Sequence, residues 1–155
     1  MQIHIDVGGQ RLELREGDAV LRAFPVSTSA LGLGSEPGSF KTPVGRFRVS
    51  EKIGEGAPLG AVFKGRMPTG ELGACATEGD LILTRILRLD GLEEANANTR
   101  DRYIYIHGTN HESLVGTPAS HGCVRMRNRD IVELFGLVES GTEVFIQPGM
   151  SLAPK

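Results

Sequence analysis

The chain has 155 residues, a length that suits one domain with an ordinary core and no need of disulfide staples. It carries 17 lysines and arginines against 19 acidic residues, and its net charge of −2 argues against a nucleic-acid-binding protein. No stretch approaches the length of a membrane span, and Cys75 and Cys123 are too few for a disulfide framework.

The first half of the chain alternates apolar and polar residues, as half-buried strands do. Two such segments flank Gly8-Gly9 and predict an opening hairpin, and further strands are predicted over residues 19–27 and 46–53. Residues 54–79 contain seven glycines and predict a long irregular loop. A loop of this length is either a binding wall or lid or an ordinary surface excursion.

The second half predicts two strands, a helix and a final strand. Residues 80–89 are apolar on both sides, which is typical of a central strand. Residues 102–107 alternate, so that Tyr103, Tyr105 and His107 share a face and His107 ends the strand. Asn128 is a plausible N-cap of a helix that ends near Gly141, and residues 142–147 supply the last strand.

These elements predict a mainly β fold, a β-sandwich or partly closed barrel, with one clear short helix after Cys123. We expect residues 1–148 to form a single domain and residues 149–155 to form a flexible tail. The N-terminus has no basic start or long apolar run, so no signal peptide is visible. The expected location is therefore cytoplasmic, or periplasmic or in the cell wall if a leader lies outside this chain.

The segment Ser120-His121-Gly122-Cys123-Val124-Arg125-Met126 indicates nucleophilic chemistry. Gly122 permits a sharp turn that presents the Cys123 thiol, and an attacking thiol needs a partner that removes its proton. His107 is the candidate base. His121 is a second polar donor or a brace for the turn, and Arg125 either pairs with a substrate carboxylate or ties down the loop.

Arginines between residues 100 and 129 make the surroundings of Cys123 mildly positive, which we expect to favour a carboxylate substrate and the thiolate. The alternative, for all of them except Arg125, is that they are solvated residues of a strand and a helix start. Cys75 has no histidine or basic neighbour close in sequence, and we expect it to be a small buried or loop residue.

The Cys123 segment, together with His107-Gly108-Thr109, resembles the signature of the L,D-transpeptidase (YkuD-type) catalytic domain. Thr42-Pro43-Val44-Gly45-Arg46-Phe47 also resembles a segment of that family, as do the helix and the segment Gly141-Thr142-Glu143-Val144 that follow the cysteine. The resemblance covers nearly the whole chain except residues 54–79.

This resemblance implies that Cys123 is the nucleophile and His107 is the general base, oriented by the backbone carbonyl of Gly108. Backbone amides near Gly122 and Cys123 would form an oxyanion hole. Ser120 and His121 would support the turn, and Arg125, Tyr105 and Thr109 would contact or position substrate. The substrate would be a peptidoglycan stem tetrapeptide or muropeptide, cut before the terminal D-alanine, with no metal or cofactor. The oligomeric state is left open.

The acyl acceptor decides between two activities. An amine acceptor gives a cross-link in the wall, whereas water gives a trimmed tripeptide. A cytoplasmic protein would meet soluble muropeptides, so we expect an L,D-carboxypeptidase that serves muropeptide recycling.

Three alternatives remain open. His107, His111, His121 and Cys123 are all zinc-ligand types, although a strand at His107 does not suit helical His-x3-His spacing. A non-catalytic wall-binding module could use the same residues to grip carboxylates. Ser120 could be the nucleophile, but it lacks the strand-to-helix elbow of serine hydrolases.

Overall fold

The computed structural model describes residues 1–149 and is built mainly from β-strands. The strands are β1 (Gln2–Asp6), β2 (Arg11–Glu16), β3 (Ala19–Pro25), β4 (Gly45–Ile53), β5 (Ala61–Lys64), β6 (Met67–Leu72), β7 (Ile82–Gly91), β8 (Tyr105–Gly108), β9 (Val124–Met126) and β10 (Glu143–Gln147). Within that range the single α-helix is α1 (Asn128–Leu137), and two short 3-10 helices span Glu94–Asn96 and Glu112–Leu114.

All ten strands belong to one mixed sheet in the order β3-β2-β1-β10-β4-β7-β5-β6, with β8 and β9 branching from β7. The neighbours are antiparallel except for β1–β10 and β8–β9, which are parallel. Ile86 of β7 pairs with both Ile53 of β4 and His107 of β8, so β4 and β8 lie on opposite edges of β7. The predicted central strand is therefore confirmed.

Around β8 and β9 the sheet has two different faces. On one face Ile106, Val124 and Met126 join the main hydrophobic core, against which α1 packs with Ile131 and Leu134. Because side chains alternate along a strand, the residues between them point to the opposite face. There a second, smaller cluster brings together residues of β4, β5, β7 and β8 with partly buried Cys123: Ala61, Phe63, Ile86, Tyr105, Ile53, Ala57 and Ile82.

The mainly β class, the opening hairpin and a single short helix after Cys123 are confirmed. The prediction of a long irregular loop over residues 54–79 is wrong, because β5 and β6 form a hairpin within this segment. Every residue of β6 is exposed, so the strand has no buried face. Without a buried face, nothing requires the alternation of apolar and polar residues by which a strand is predicted. Within residues 1–149, no helix has the length and apolar character needed to cross a membrane.

Three boundaries also differ from the prediction. Tyr103 precedes β8 and has a positive φ of 57°, so the strand begins only at Tyr105. Arg127 takes the N-cap position of α1, and Asn128 is the first helical residue. The helix ends at Leu137 rather than near Gly141. The predicted tail lies outside the described residues except for Gly149.

Candidate active site

The Cys123 thiol lies where β9 begins beside β8. The parallel register pairs Ile106 with Val124 and His107 with Arg125, so Cys123 stands one residue before the ladder, opposite Tyr105. Its Sγ lies 3.3 Å from the Tyr105 amide nitrogen, which donates to it, and 3.3 Å from the Tyr103 carbonyl oxygen, to which the thiol donates. The register places Cys123, Arg125 and His107 on the same face of the sheet.

His107 is a buried imidazole, only 2% exposed, with a defined tautomer. Its Nδ1 lies 2.5 Å from the carbonyl oxygen of Gly108. A carbonyl oxygen only accepts, so Nδ1 must carry the proton, and the Nε2 lone pair is left to act as a base. Burial lowers the pKa of His107 and outweighs the Gly108 hydrogen bond, so the ring is neutral at neutral pH. This contact agrees with the orienting role predicted for the Gly108 carbonyl.

Cys123 rests as a thiol and not as a thiolate. Burial raises the pKa of Cys123 to about 12, and the hydrogen bond from the Tyr105 amide offsets only part of that effect. Asp80 raises it further, whereas Arg125 and Arg102 lower it. The lowered pKa expected from the nearby arginines is therefore wrong for the free protein, because burial and a carboxylate outweigh their charge.

The turn before Cys123 is fixed by two hydroxyls. Ser120 Oγ donates to the Cys123 carbonyl at 2.6 Å and accepts from the Gly122 amide at 3.2 Å. Thr42 Oγ1 donates to the Gly122 carbonyl at 2.9 Å and accepts from the Ser29 amide at 3.0 Å. Gly122 has a φ of +125°, which side-chain-bearing residues rarely adopt.

These contacts assign Ser120 and Gly122 to the turn. Ser120 is 1% exposed, which fits a structural hydroxyl better than a nucleophile. The Gly122 amide is already bonded, so it is not free to stabilise an oxyanion. This corrects the expectation that the Gly122 amide would take part in an oxyanion hole.

Asp80 is an acidic partner that sequence reasoning missed. Its carboxylate lies 2.8 Å from Arg125 Nη2 and 3.0 Å from His121 Nδ1. Although burial alone would raise the pKa of Asp80, the charge of Arg125 and the nearby His107 and His121 rings hold it below its ordinary value. Asp80 is separated from His121 by 41 residues, and a lone acidic residue before a strand carries no periodic signal.

The segment before Asp80 is tied to the loop after β8. Asn110 Oδ1 accepts from the Leu81 amide at 3.1 Å, and its Nδ2 donates to the carbonyls of Ala76 and Gly79 at 3.2 Å. His111 Nε2 contacts the same Gly79 carbonyl at 2.6 Å. These contacts hold the backbone on both sides of Asp80, and they therefore fix the position of its carboxylate.

The Arg125 side chain is buried. The residue is 2% exposed, and only its Nη2 is paired; Nε and Nη1 are buried without a hydrogen-bond partner among residues 1–149. Of the two roles predicted for it, the structure favours tying down the loop, because the guanidinium reaches Asp80 rather than the surface. His121, in contrast, has a largely exposed side chain, packed edge-on against Phe40 at 6.0 Å between ring centroids.

Tyr105 and Thr109 do not offer side chains to a ligand here, contrary to their predicted contact with substrate. Tyr105 is 4% exposed, and its hydroxyl accepts from Arg66 at the tip of the β5–β6 hairpin at 3.1 Å. Thr109 is fully buried, and its Oγ1 accepts from the His111 amide at 3.0 Å. Both residues support the site from within.

Two cavities lie near this arrangement. One, of about 450 Å³, is bordered by Asp80, Arg102, Phe40 and His121. The other, of about 480 Å³, lies between the β4–β5 connection and the β5–β6 hairpin, and Phe63 on its wall also belongs to the cluster around Cys123. The β5–β6 hairpin therefore borders a cavity beside the cluster that contains Cys123, and the binding-wall interpretation of residues 54–79 stays a prediction.

The four candidate zinc ligands have separate partners. His107 Nδ1 contacts Gly108, His111 Nε2 contacts Gly79, and His121 Nδ1 contacts Asp80. Residues 1–149 contain no group of three or more His, Cys, Asp or Glu side chains arranged to hold a metal ion. Cys75 is exposed, which contradicts a buried position but agrees with the predicted loop.

Comparison with known proteins gives a consistent match. Residues 1–146 match the model of the YkuD family, the L,D-transpeptidase catalytic domain. The chain is 28% identical over 148 residues to a putative L,D-transpeptidase YkuD of Bacillus licheniformis. This alignment covers 95% of this chain and 66% of that protein. It is 36% identical over 106 residues to the putative L,D-transpeptidase YqjB of Bacillus subtilis, covering 68% of this chain and 51% of that protein.

Solved structures share the fold. The catalytic domain of an Enterococcus faecium L,D-transpeptidase, determined by NMR, superposes with a TM-score of 0.58 at 20% identity and covers 94% of this chain and 95% of that one. The chain spans about two thirds or less of the length of the two curated relatives named above. Because the family model matches almost every described residue, this chain belongs to the L,D-transpeptidase catalytic domain family.

Proposed function

We propose that the chain is a cysteine acyltransferase that acts on peptidoglycan stem tetrapeptides at the bond between an L-configured diamino acid centre and the terminal D-alanine. One observation carries this proposal: Cys123 and a neutral His107, with its proton held on Nδ1, stand on the same face of adjacent strands. Membership of the family supports the substrate class.

Acylation starts from two neutral groups. His107 Nε2 takes the thiol proton as Cys123 Sγ attacks the substrate carbonyl carbon, so thiolate and imidazolium form only as the new bond forms. The substrate nitrogen then leaves with the proton from His107, the C–N bond breaks, and D-alanine departs. The product is a thioester between Cys123 and the tripeptide.

The negative charge on the carbonyl oxygen needs donors in the tetrahedral intermediate. With the Gly122 amide bonded to Ser120, we assign this role to the Cys123 amide. His121 is not assigned as a second donor, because Asp80 accepts from its Nδ1 and the Nε2 of a neutral ring then carries a lone pair.

For the second step we propose water as the acceptor when the substrate is a soluble muropeptide, since water is then the most abundant nucleophile. His107 takes a proton from water as its oxygen adds to the thioester carbonyl; the C–S bond breaks, the tripeptide acid is released, and His107 returns the proton to the Cys123 sulfur. This is L,D-carboxypeptidase activity. The names of the curated relatives favour the second candidate, transfer to the amine of another stem peptide, which releases a 3-3 cross-linked dimer.

Mass spectrometry of the products from a purified disaccharide tetrapeptide tests the proposal. Tripeptide and free D-alanine are expected with the wild-type chain and absent with Cys123→Ala. A cross-linked dimer as the main product would show that the acyl group is transferred to an amine and not to water. No D-alanine release by the folded wild-type chain, from either a muropeptide or intact peptidoglycan, would refute the assigned bond.

A further inference from the structure

The strand pairing is interrupted directly opposite the candidate base. Leu83 of β7 pairs with Gly108 and Ile86 pairs with His107, although Gly108 and His107 are consecutive in β8. Two residues of β7, Thr84 and Arg85, therefore bulge out of the ladder at this step. A β-bulge of this kind changes the local hydrogen bonding and redirects side chains, and bulges recur beside active sites.

Thr84 holds the bulge in an unfavourable backbone conformation. Its φ is +75°, and a β-branched residue is a genuine outlier in that region. Its side chain is completely buried. Strain of this kind persists only where the surrounding contacts determine it, and it collects at functional sites.

A chain of hydrogen bonds connects Thr84 to the start of α1. Thr84 Oγ1 accepts from the Gly60 amide at 2.9 Å and donates to Asn128 Oδ1 at 2.6 Å. Asn128 Nδ2 donates to the Thr109 carbonyl and to Glu112 Oε2, both at 2.9 Å. Asn128 is 2% exposed, so its amide serves this network instead of capping the helix.

Gly108 lies between Thr84 and Asn128, and no space remains there for a side chain. A Cβ on Gly108 would come within 2.7 Å of the Leu83 carbonyl oxygen and 3.2 Å of Thr84 Cβ, and it would clash with Asn128 Oδ1. Gly108, whose carbonyl accepts the hydrogen bond from His107 Nδ1, is thus packed at its Cα against Thr84 on the β7 side and against Asn128 on the α1 side.

We propose that Thr84 and Asn128 are positioning residues that fix the Gly108 carbonyl and thereby keep the His107 proton on Nδ1. This inference rests on the proposed function only in taking His107 as the base. Thr84 and Asn128 touch neither substrate nor thiol in this scheme, and they act through the peptide that selects the His107 tautomer. Without them the packing around Gly108 loosens within the ladder, its carbonyl can turn away from Nδ1, and the proton can move to Nε2, which removes the lone pair that acts as the base.

The test is ¹⁵N NMR of the histidine rings, because protonated and unprotonated ring nitrogens have different shifts and no substrate is needed. The wild-type chain is expected to show His107 with a protonated Nδ1 at pH 7.5, assigned by its loss in His107→Gln. Thr84→Val removes Oγ1 but keeps the branched shape, and it is expected to give a mixture of tautomers and about tenfold slower D-alanine release. Thr84→Ser restores the hydroxyl and is expected to restore both readouts.

Thr99→Val is the matched control, because Thr99 is also fully buried and its Oγ1 donates to the Asn96 carbonyl at 2.6 Å, away from this network. It is expected to lose stability but to keep the Nδ1 tautomer. If Thr84→Val does not fold, Glu112→Ala removes the acceptor for Asn128 at an exposed position and is expected to shift the tautomer in the same direction.

An unchanged Nδ1 tautomer in folded Thr84→Val, or in Glu112→Ala where Thr84→Val does not fold, would overturn the inference. A wild-type chain with the Nδ1 tautomer and no D-alanine release would instead refute the proposed function and leave the positioning role standing.

Discussion

Asp80 and Arg125 form an ion pair of 2.8 Å that joins the entrance of β7 to the strand that follows Cys123. The Arg125 side chain is 3% exposed and the Asp80 side chain 33% exposed, so the pair is buried on the arginine side only. Because Asp80 also contacts His121, one carboxylate sets the positions of a buried guanidinium and an exposed imidazole. This pair organises the charge around the thiol.

Replacement of Asp80 by asparagine is expected to destabilise the protein by about 2 kcal/mol, because it leaves the Arg125 guanidinium buried without a counter-charge. Thermal or denaturant unfolding measures the change. Asp90→Asn is the control, since Asp90 pairs with Arg48 and Arg100 at 3.4 Å on the surface and is expected to cost less than about 1 kcal/mol. Equal losses in the two variants would contradict the structural role assigned to Asp80.

Thiol alkylation is expected to distinguish the two cysteines. Cys75 is exposed, whereas burial raises the pKa of Cys123 to about 12, so iodoacetamide at pH 7–8 is expected to label Cys75 first. Labelling of Cys123 should continue to accelerate as the pH is raised above 9. Asp80→Asn should accelerate it at each pH, because Asp80 raises the Cys123 pKa. Peptide mass spectrometry gives both rates, and preferential labelling of Cys123 at neutral pH would show a thiolate in the resting protein.

The sequence was sufficient where the signal is local. Alternation predicted the opening hairpin, a segment apolar on both sides predicted the central strand, and the glycine before Cys123 predicted a turn there. The hairpin of β5 and β6 was missed because its outer strand is wholly exposed and contains Pro68 and Gly70, which read as loop residues.

The electrostatics of the site could not be predicted from neighbouring residues. A count of arginines near Cys123 in sequence does not include Asp80, which reaches Arg125 from the segment before β7. It also does not include burial, which dominates the thiol pKa. Asn128 was misassigned for the same reason: as a polar residue before an apolar run it looks like an N-cap, but its partners Thr84 and Thr109 are distant in sequence.

Thr42 is expected to control the turn at Cys123, because its hydroxyl bridges the Ser29 amide and the Gly122 carbonyl. Thr42→Val should lower D-alanine release about tenfold and stability by about 1 kcal/mol. Thr42→Ser keeps the hydroxyl and should remain close to wild type. Thr117→Val provides a control on the surface, where Oγ1 donates only to the Leu114 carbonyl. Wild-type turnover by Thr42→Val would show that the turn holds without this bridge.

The pH dependence of acylation is expected to report His107. Burial places its pKa below the ordinary value of about 6.5, and the ring must be unprotonated at Nε2 to accept the thiol proton. The value of kcat/KM for D-alanine release should therefore stay constant from pH 8 down to about 6.5 and fall only at lower pH. His107→Ala should lower it by about a hundredfold or more and remove this acid limb.

The lowered pKa of His107 also makes the free energy of unfolding depend on pH. The unfolded chain, with an ordinary histidine, binds a proton at a pH at which folded His107 remains neutral, so the free energy of unfolding falls as the pH drops below about 6.5. His107→Gln should weaken this decline, as determined by urea unfolding at pH 5 to 7. A decline of equal steepness in His107→Gln and wild type would assign it to other groups, and an unchanged acid limb in His107→Ala would exclude His107 as the base.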